Sequence, residues 1–173
     1  MISTVPEGLK RDAKRPRAWR EARLVCVDDP ERTRRQYGLS FEPVDHSTAQ
    51  WGHCARLVGR AQSTRMYIVA DEANWIERIC AQTFGDDARL LVDFYHVSEY
   101  LVDASHARRP SKPKQWLQTQ QKRLKRGQYR KVIQELAPHV EDSRVADEQA
   151  PIRSAHRYLT NRQDQLFYDE ALA

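Results

Sequence analysis

Apolar positions along the chain fall into two patterns, short uninterrupted runs and stripes at helical spacing, and both are clearest between residues 66 and 101. Met66-Tyr67-Ile68-Val69-Ala70 and Ala88-Arg89-Leu90-Leu91-Val92 are too short for helices and rich in strand-favouring residues. Between them Ile76, Ile79, Cys80 and Phe84 recur at helical spacing, and a further helix is expected from about Val97. The order predicts a β-α-β unit with two parallel strands, followed at their carboxyl ends by Asp71 and Asp93. In open α/β sheets that edge is where ligands and metals gather.

Upstream, residues 1–5 look β-like, 6–17 read as a hairpin loop, and 19–27 as a strand that Asp28-Asp29-Pro30 breaks. Residues 31–44 read as loop. Ser47 to Gln50 has capping-box spacing ahead of the stripe Trp51, Cys54, Ala55 and Val58, which predicts a helix over 47–60. The order so far is β-β-α-β-α-β. Downstream, Pro110 and Pro113 mark a connector, and Trp116, Leu117 and Leu124 predict a helix that Gly127 ends. Tyr129, Val132, Ile133 and Leu136 predict another, and Ile152, Ala155, Tyr158 and Leu159 place a last one over 150–162. The fold class expected is α/β with a helical second part.

A length of 173 residues with 40% hydrophobic content suits one domain with an ordinary core. No apolar run approaches the roughly 20 residues of a membrane helix, and the basic N-terminal stretch lacks the apolar segment of a secretory signal. No membrane partner and a cytoplasmic location are therefore expected. Cys26, Cys54 and Cys80 are odd in number and far apart, and read as small buried hydrophobes. A net charge of +5 suits an acidic partner.

The charge is concentrated. Arg108, Arg109, Lys112, Lys114, Lys122, Arg123, Lys125, Arg126, Arg130 and Lys131 lie between residues 106 and 131 with no aspartate or glutamate among them. Such a run neutralises phosphates, and Trp116 and Tyr129 within it would pack against sugars or bases; the plainer reading is a solvated helix face with both aromatics in the core. The second candidate is Asp71 with Asp93 and His96. Carboxylates at adjacent strand ends can share Mg²⁺, and a pair of such ions serves in-line displacement at phosphorus. The same aspartates equally read as caps of the following helices, with His96 as a structural hydrogen-bonder. Trp75-Ile76 reads as packing.

Val69-Ala70-Asp71-Glu72-Ala73-Asn74-Trp75-Ile76, followed by Leu91-Val92-Asp93-Phe94-Tyr95-His96 and Leu101, resembles the centre of bacterial insertion-sequence transposases of the ISKra type. There one strand ends in Asp-Gly-Ala-x-Trp-Ile and the next in Leu-Asp-x-Tyr-His. Trp19-Arg20-Glu21 is similar to the family's early Trp-(Arg/Lys)-Glu segment. The resemblance implies DNA transposition by a ribonuclease H-like mixed sheet with flanking helices, whose acidic triad binds two Mg²⁺ ions. Asp71 would be the second triad acid and a metal ligand, Asp93 and His96 an auxiliary Asp-x-x-His motif as in Mutator-like relatives. Residues 1–104 would form a partial core, and 105–173 a basic helical insertion or extension carrying the DNA contacts.

The first triad acid is expected ahead of Met1 and the third beyond Ala173, Glu72 replaces the usual glycine, and Asp169 and Glu170 lack the context of the third acid. A catalytically incomplete fragment without strand transfer of its own is thus expected, with DNA, a second copy or an intact transposase as partners. The alternatives are a non-catalytic DNA-binding protein or inhibitor of an intact transposase, a decayed reading frame, and an unrelated metal-dependent nuclease.

Overall fold

The computed structural model describes residues 2–3, 19–20, 22–41, 43, 46–62, 64–70 and 74–171. The loop expected over 6–17 and the expectations for Glu21, Asp71 and Glu72 lie outside them. The chain is α/β and divides into two compact units, Met1–Arg65 with Glu77–Asp87, and Met66–Ile76 with Ala88–Ala173. The boundary expected at residue 104 would instead cut a helix, α3 (Phe94–Arg108). The described strands are hydrogen-bonded in three pairs, not in one mixed sheet.

In the first unit β1 (Ile2–Ser3) and β2 (Trp19–Arg20) pair antiparallel, Ile2 opposite Arg20. β3 (Arg23–Asp28) pairs antiparallel with β4 (Arg35–Ser40), from Arg23 opposite Ser40 to Asp28 opposite Arg35. The turn between them closes on Asp29, whose carboxylate accepts from the Thr33 N–H at 2.7 Å, the Thr33 hydroxyl at 2.5 Å and the Arg34 N–H at 3.1 Å. These bonds hold the Asp29 carboxyl at about 2, and the Arg35 guanidinium holds that of Asp28 below its ordinary value.

β4 falls inside the stretch read as loop. Its more buried positions are Gln36, Gly38 and Ser40, and its exposed ones Arg35, Tyr37 and Leu39, so the polar residues face inward. That reverses the alternation by which a half-buried strand is recognised. Gly38 lets α1 (Ser47–Leu57) come close: a Cβ there would meet Val25 Cγ1 at 2.9 Å and the Gln50 side chain at 3.0 Å. The N-cap of α1 is His46, one residue ahead of the Ser47 at which the capping box is expected. His46 makes no side-chain cap bond, and the Gln50 amide is given to the Leu39 carbonyl at 2.9 Å.

α1 ends in a Schellman turn, with Gly59 at φ 103° and the Arg60 N–H on the Ala55 carbonyl at 2.9 Å. Arg60 then pairs with Asp87 at 3.0 Å and lies over the Phe84 ring. Phe84, with the buried Ile79 and Cys80, belongs to the last turns of α2 (Asn74–Phe84). Cys54 is buried as expected, but Cys26 is exposed because it takes an outward position on β3.

In the second unit β5 (Met66–Ala70) and β6 (Ala88–Val92) run parallel, Met66 opposite Ala88 and Ala70 opposite Val92, as the sequence predicts. The Asp93 N–H adds one more rung on the Ala70 carbonyl at 3.0 Å. α3 packs against α4 (Pro113–Leu124) and α6 (Pro151–Asn161), and α5 (Tyr129–Leu136) against both of these. Leu101, Leu124, Val132, Leu136 and Leu159 are fully buried between them.

Ala150, the N-cap of α6, has no side chain to cap with. Glu141 does so from nine residues upstream, accepting the Ile152 and Arg153 N–H groups at 3.0 and 2.6 Å. The chain then turns back through Leu166, Phe167 and α7 (Tyr168–Ala171), and the Tyr168 hydroxyl donates to the Val92 carbonyl at 2.9 Å. The segment after α6 thus carries three consecutive buried side chains, Leu166, Phe167 and Tyr168. Among the described residues no helix is long and apolar enough to cross a membrane.

Candidate nucleic-acid interface

At the carboxyl end of β6 the chain turns through Asp93 into α3. Asp93 is the helix N-cap, and its Oδ1 accepts the Tyr95 N–H at 2.8 Å. A helix leaves its first N–H groups without partners, and a carboxylate there satisfies one of them and favours the helix dipole. The cap also explains why α3 begins at Phe94, three residues ahead of the expected start. One turn on, His96 presents Nδ1 to Glu99 at 3.4 Å and sets its ring edge-on to Tyr100 and Tyr158, at 5.6 and 5.7 Å between centroids.

Asp71, the expected catalytic residue and metal ligand, lies outside the described residues. Among those described, no group of three or more His, Cys, Asp or Glu side chains is placed to hold a metal ion. With one Asp93 oxygen occupied by the cap and His96 turned to Glu99 and two tyrosines, the described donors do not by themselves fit Mg²⁺.

The C-terminal end of α4 reaches the start of α3 at this edge. Lys125, at the end of α4, places its Nζ 4.7 Å from the centre of the Phe94 ring, which meets Tyr168 edge-on at 5.4 Å. Burial, Tyr158 and Asp93 push the Tyr168 hydroxyl well up from its ordinary value. α4 closes in a Schellman turn at Gly127, φ 67°, as expected, and a Cβ there would collide with the Asp169 carboxylate. Glu170 pairs instead with Arg89, whose guanidinium lies 3.7 Å over Phe167.

The ten basic residues separate by environment. Arg109, Lys112, Lys114, Lys122, Lys125, Arg126, Arg130 and Lys131 are exposed, and Arg108 and Arg123 half-buried. Arg108 stands in the last turn of α3, and Lys122 and Arg123 in that of α4, where a cation complements the helix dipole. Arg123 is bound to Glu135 of α5, which also accepts the Trp116 indole N–H at 2.6 Å and the Gln120 amide at 3.4 Å. Burial alone would raise the Glu135 carboxyl, but the bonds from Arg123 and Trp116 hold it below the usual glutamate value.

This network floors a cleft of about 290 Å³ between Arg109, Lys112 and Thr119. Glu135 lies just past the acid-free stretch, and nothing in the sequence links it to Arg123 twelve residues earlier. Trp116, 6% exposed, and Tyr129, packed against the helical core, are structural. For Trp116 the reading in which it stacks on bases is corrected: core packing outweighs exposure of a large apolar ring. No protein-family model, curated protein or solved structure matches the chain.

Proposed function

We propose that the chain binds DNA through the exposed cations of 109–131 as a transposase-derived component of DNA transposition. The carrying observation is that eight of the ten cations in this acid-free run are exposed while its aromatics pack against the helical core, Trp116 buried and Tyr129 half-buried. Such a surface recognises the phosphate backbone and has nothing to offer a base, so binding is set by counter-ion release and largely indifferent to sequence. The link to transposition rests on the resemblance of residues 69–76 and 91–101 to ISKra-type transposases, which also supplies the finer reading of a ribonuclease H-like core. In that reading Asp71 is a metal ligand and Asp93 and His96 form an auxiliary motif, and Asp93 caps α3 as well. The commitment of Asp93 to α3 supports a DNA-binding role without strand transfer, including that of an inhibitor of an intact transposase.

The test is duplex binding by fluorescence anisotropy across a salt series. With roughly six phosphate contacts, affinity should fall about a thousandfold between 50 and 200 mM salt. Replacing Lys122, Lys125, Arg126 and Lys131 by glutamate should abolish binding and flatten the slope; Arg123 is left in place because it serves Glu135. Salt-independent binding, or affinity unchanged in the charge-reversed chain, would sink the proposal.

A further inference from the structure

On α6, Ser154, Arg157, Tyr158, Asn161 and Arg162 stand at i, i+3, i+4, i+7 and i+8, a single helical stripe. A stripe that seals one helix against another is apolar, and this one is mostly polar. With Tyr100 of α3 it lines an open cleft of about 410 Å³, within the usual range for small-ligand sites. The floor is aromatic: Tyr100 and Tyr158 stack with centroids 4.2 Å apart and planes at 18°, and His96 stands edge-on to both.

The rim carries two guanidinium groups held only by long contacts. Arg162 reaches the Gln165 side-chain oxygen at 3.4 Å. Arg157 reaches Asp147 at 3.4 Å, because Arg153 holds the same carboxylate more closely at 2.8 Å. The Ser154 hydroxyl and Asn161 amide add neutral donors, and no lining residue is acidic.

We propose that this cleft binds a nucleotide, with its phosphate between Arg157 and Arg162 and its sugar or base against the half-exposed ring of Tyr100, which the buried Tyr158 backs. Guanidinium groups match phosphate oxygens in geometry and charge, and an aromatic floor accepts the flat face of any base. An inorganic anion would make no use of the floor, and an apolar ligand would leave the polar wall unpaired. The proposal extends the nucleic-acid reading above but uses none of its residues, since the cleft lies outside 106–131. Free mononucleotide and a nucleotide of a single strand share the chemistry.

The test titrates the full chain, by NMR or calorimetry, with deoxyadenosine monophosphate, deoxyadenosine, inorganic phosphate and a short single-stranded oligonucleotide. The monophosphate or the oligonucleotide should bind, whichever is the source, with nucleoside and phosphate each at least about tenfold weaker. Arg157→Gln with Arg162→Gln should weaken binding about tenfold at unchanged melting temperature, whereas Lys122→Gln with Lys125→Gln should leave the monophosphate isotherm unchanged. No saturable binding of either nucleotide ligand, or binding indifferent to the two arginines, overturns the proposal. Duplex binding that persists without cleft binding sinks the cleft alone; cleft binding without duplex binding sinks only the function proposed above.

Discussion

In the first unit α1 covers one face of the β3–β4 pair and leaves Leu24, Tyr37 and Leu39 on the other face 68%, 60% and 50% exposed. The second unit does the reverse, drawing Trp116, Tyr158, Phe167 and Tyr168 inside and turning its lysines and arginines outward. A two-stranded pair with one helix can bury one face only, whereas helices packed on several sides share a continuous core. The difference separates two kinds of surface. The outer face of β3–β4 is apolar and suits a protein partner, and the helical surface is charged and suits a polyanion.

The widest contrast should appear on truncating one leucine in each unit. Leu101 is fully buried, and Leu101→Ala should cost about 3 to 4 kcal/mol in denaturant unfolding. Leu39→Ala, on the exposed face, should stay within about 0.5 kcal/mol. Equal losses would mean that the outer face of β3–β4 is covered in solution.

A smaller effect tests whether the helical unit depends on the ion pair of Arg123 with Glu135. The Glu135 carboxyl is lowered on folding, so its contribution to stability is complete above the ordinary glutamate value of 4.5 and lost as pH falls below it through the folded value. Glu135→Gln should cost roughly 2 kcal/mol at neutral pH and remove that part of the acid-limb slope. It should also free Arg123 and so strengthen duplex binding slightly. An unchanged acid limb would show that the network with Arg123 and Trp116 is absent in solution.

Legibility in the sequence follows the same division. β5 and β6 are readable as short apolar runs of strand-favouring residues, and α2 and the helices from α4 to α6 because each buries an apolar set at helical spacing. β4 is not, since Gln36, Gly38 and Ser40 face inward and the room for α1 comes from a missing side chain. Leu166, Phe167 and Tyr168 were hidden between polar neighbours, and their burial depends on strands some 75 residues away. The cation run was legible as charge, but the pairing of Arg123 with Glu135 is tertiary. The Tyr100 cleft escapes because Arg157 and Arg162 stand beside the apolar stripe of α6 and share only Tyr158 with it.

Asp93 is the residue whose two readings the sequence could not separate, and the smallest effect decides between them. As an N-cap its oxygen is needed and its charge nearly dispensable, because asparagine caps about as well as aspartate. Asp93→Asn should therefore change stability by no more than about 0.5 kcal/mol, and Asp93→Ala should cost about 1 kcal/mol, read as a shift in melting temperature. As a metal ligand the order differs: both substitutions remove the anionic oxygen that Mg²⁺ prefers, and both should abolish any Mg²⁺-dependent rise in melting temperature. A chain whose melting is indifferent to Mg²⁺, yet tells alanine from asparagine at position 93, has its carboxylate committed to α3. A Mg²⁺-dependent rise lost equally in both variants would return Asp93 to the metal and count against the proposed role without strand transfer.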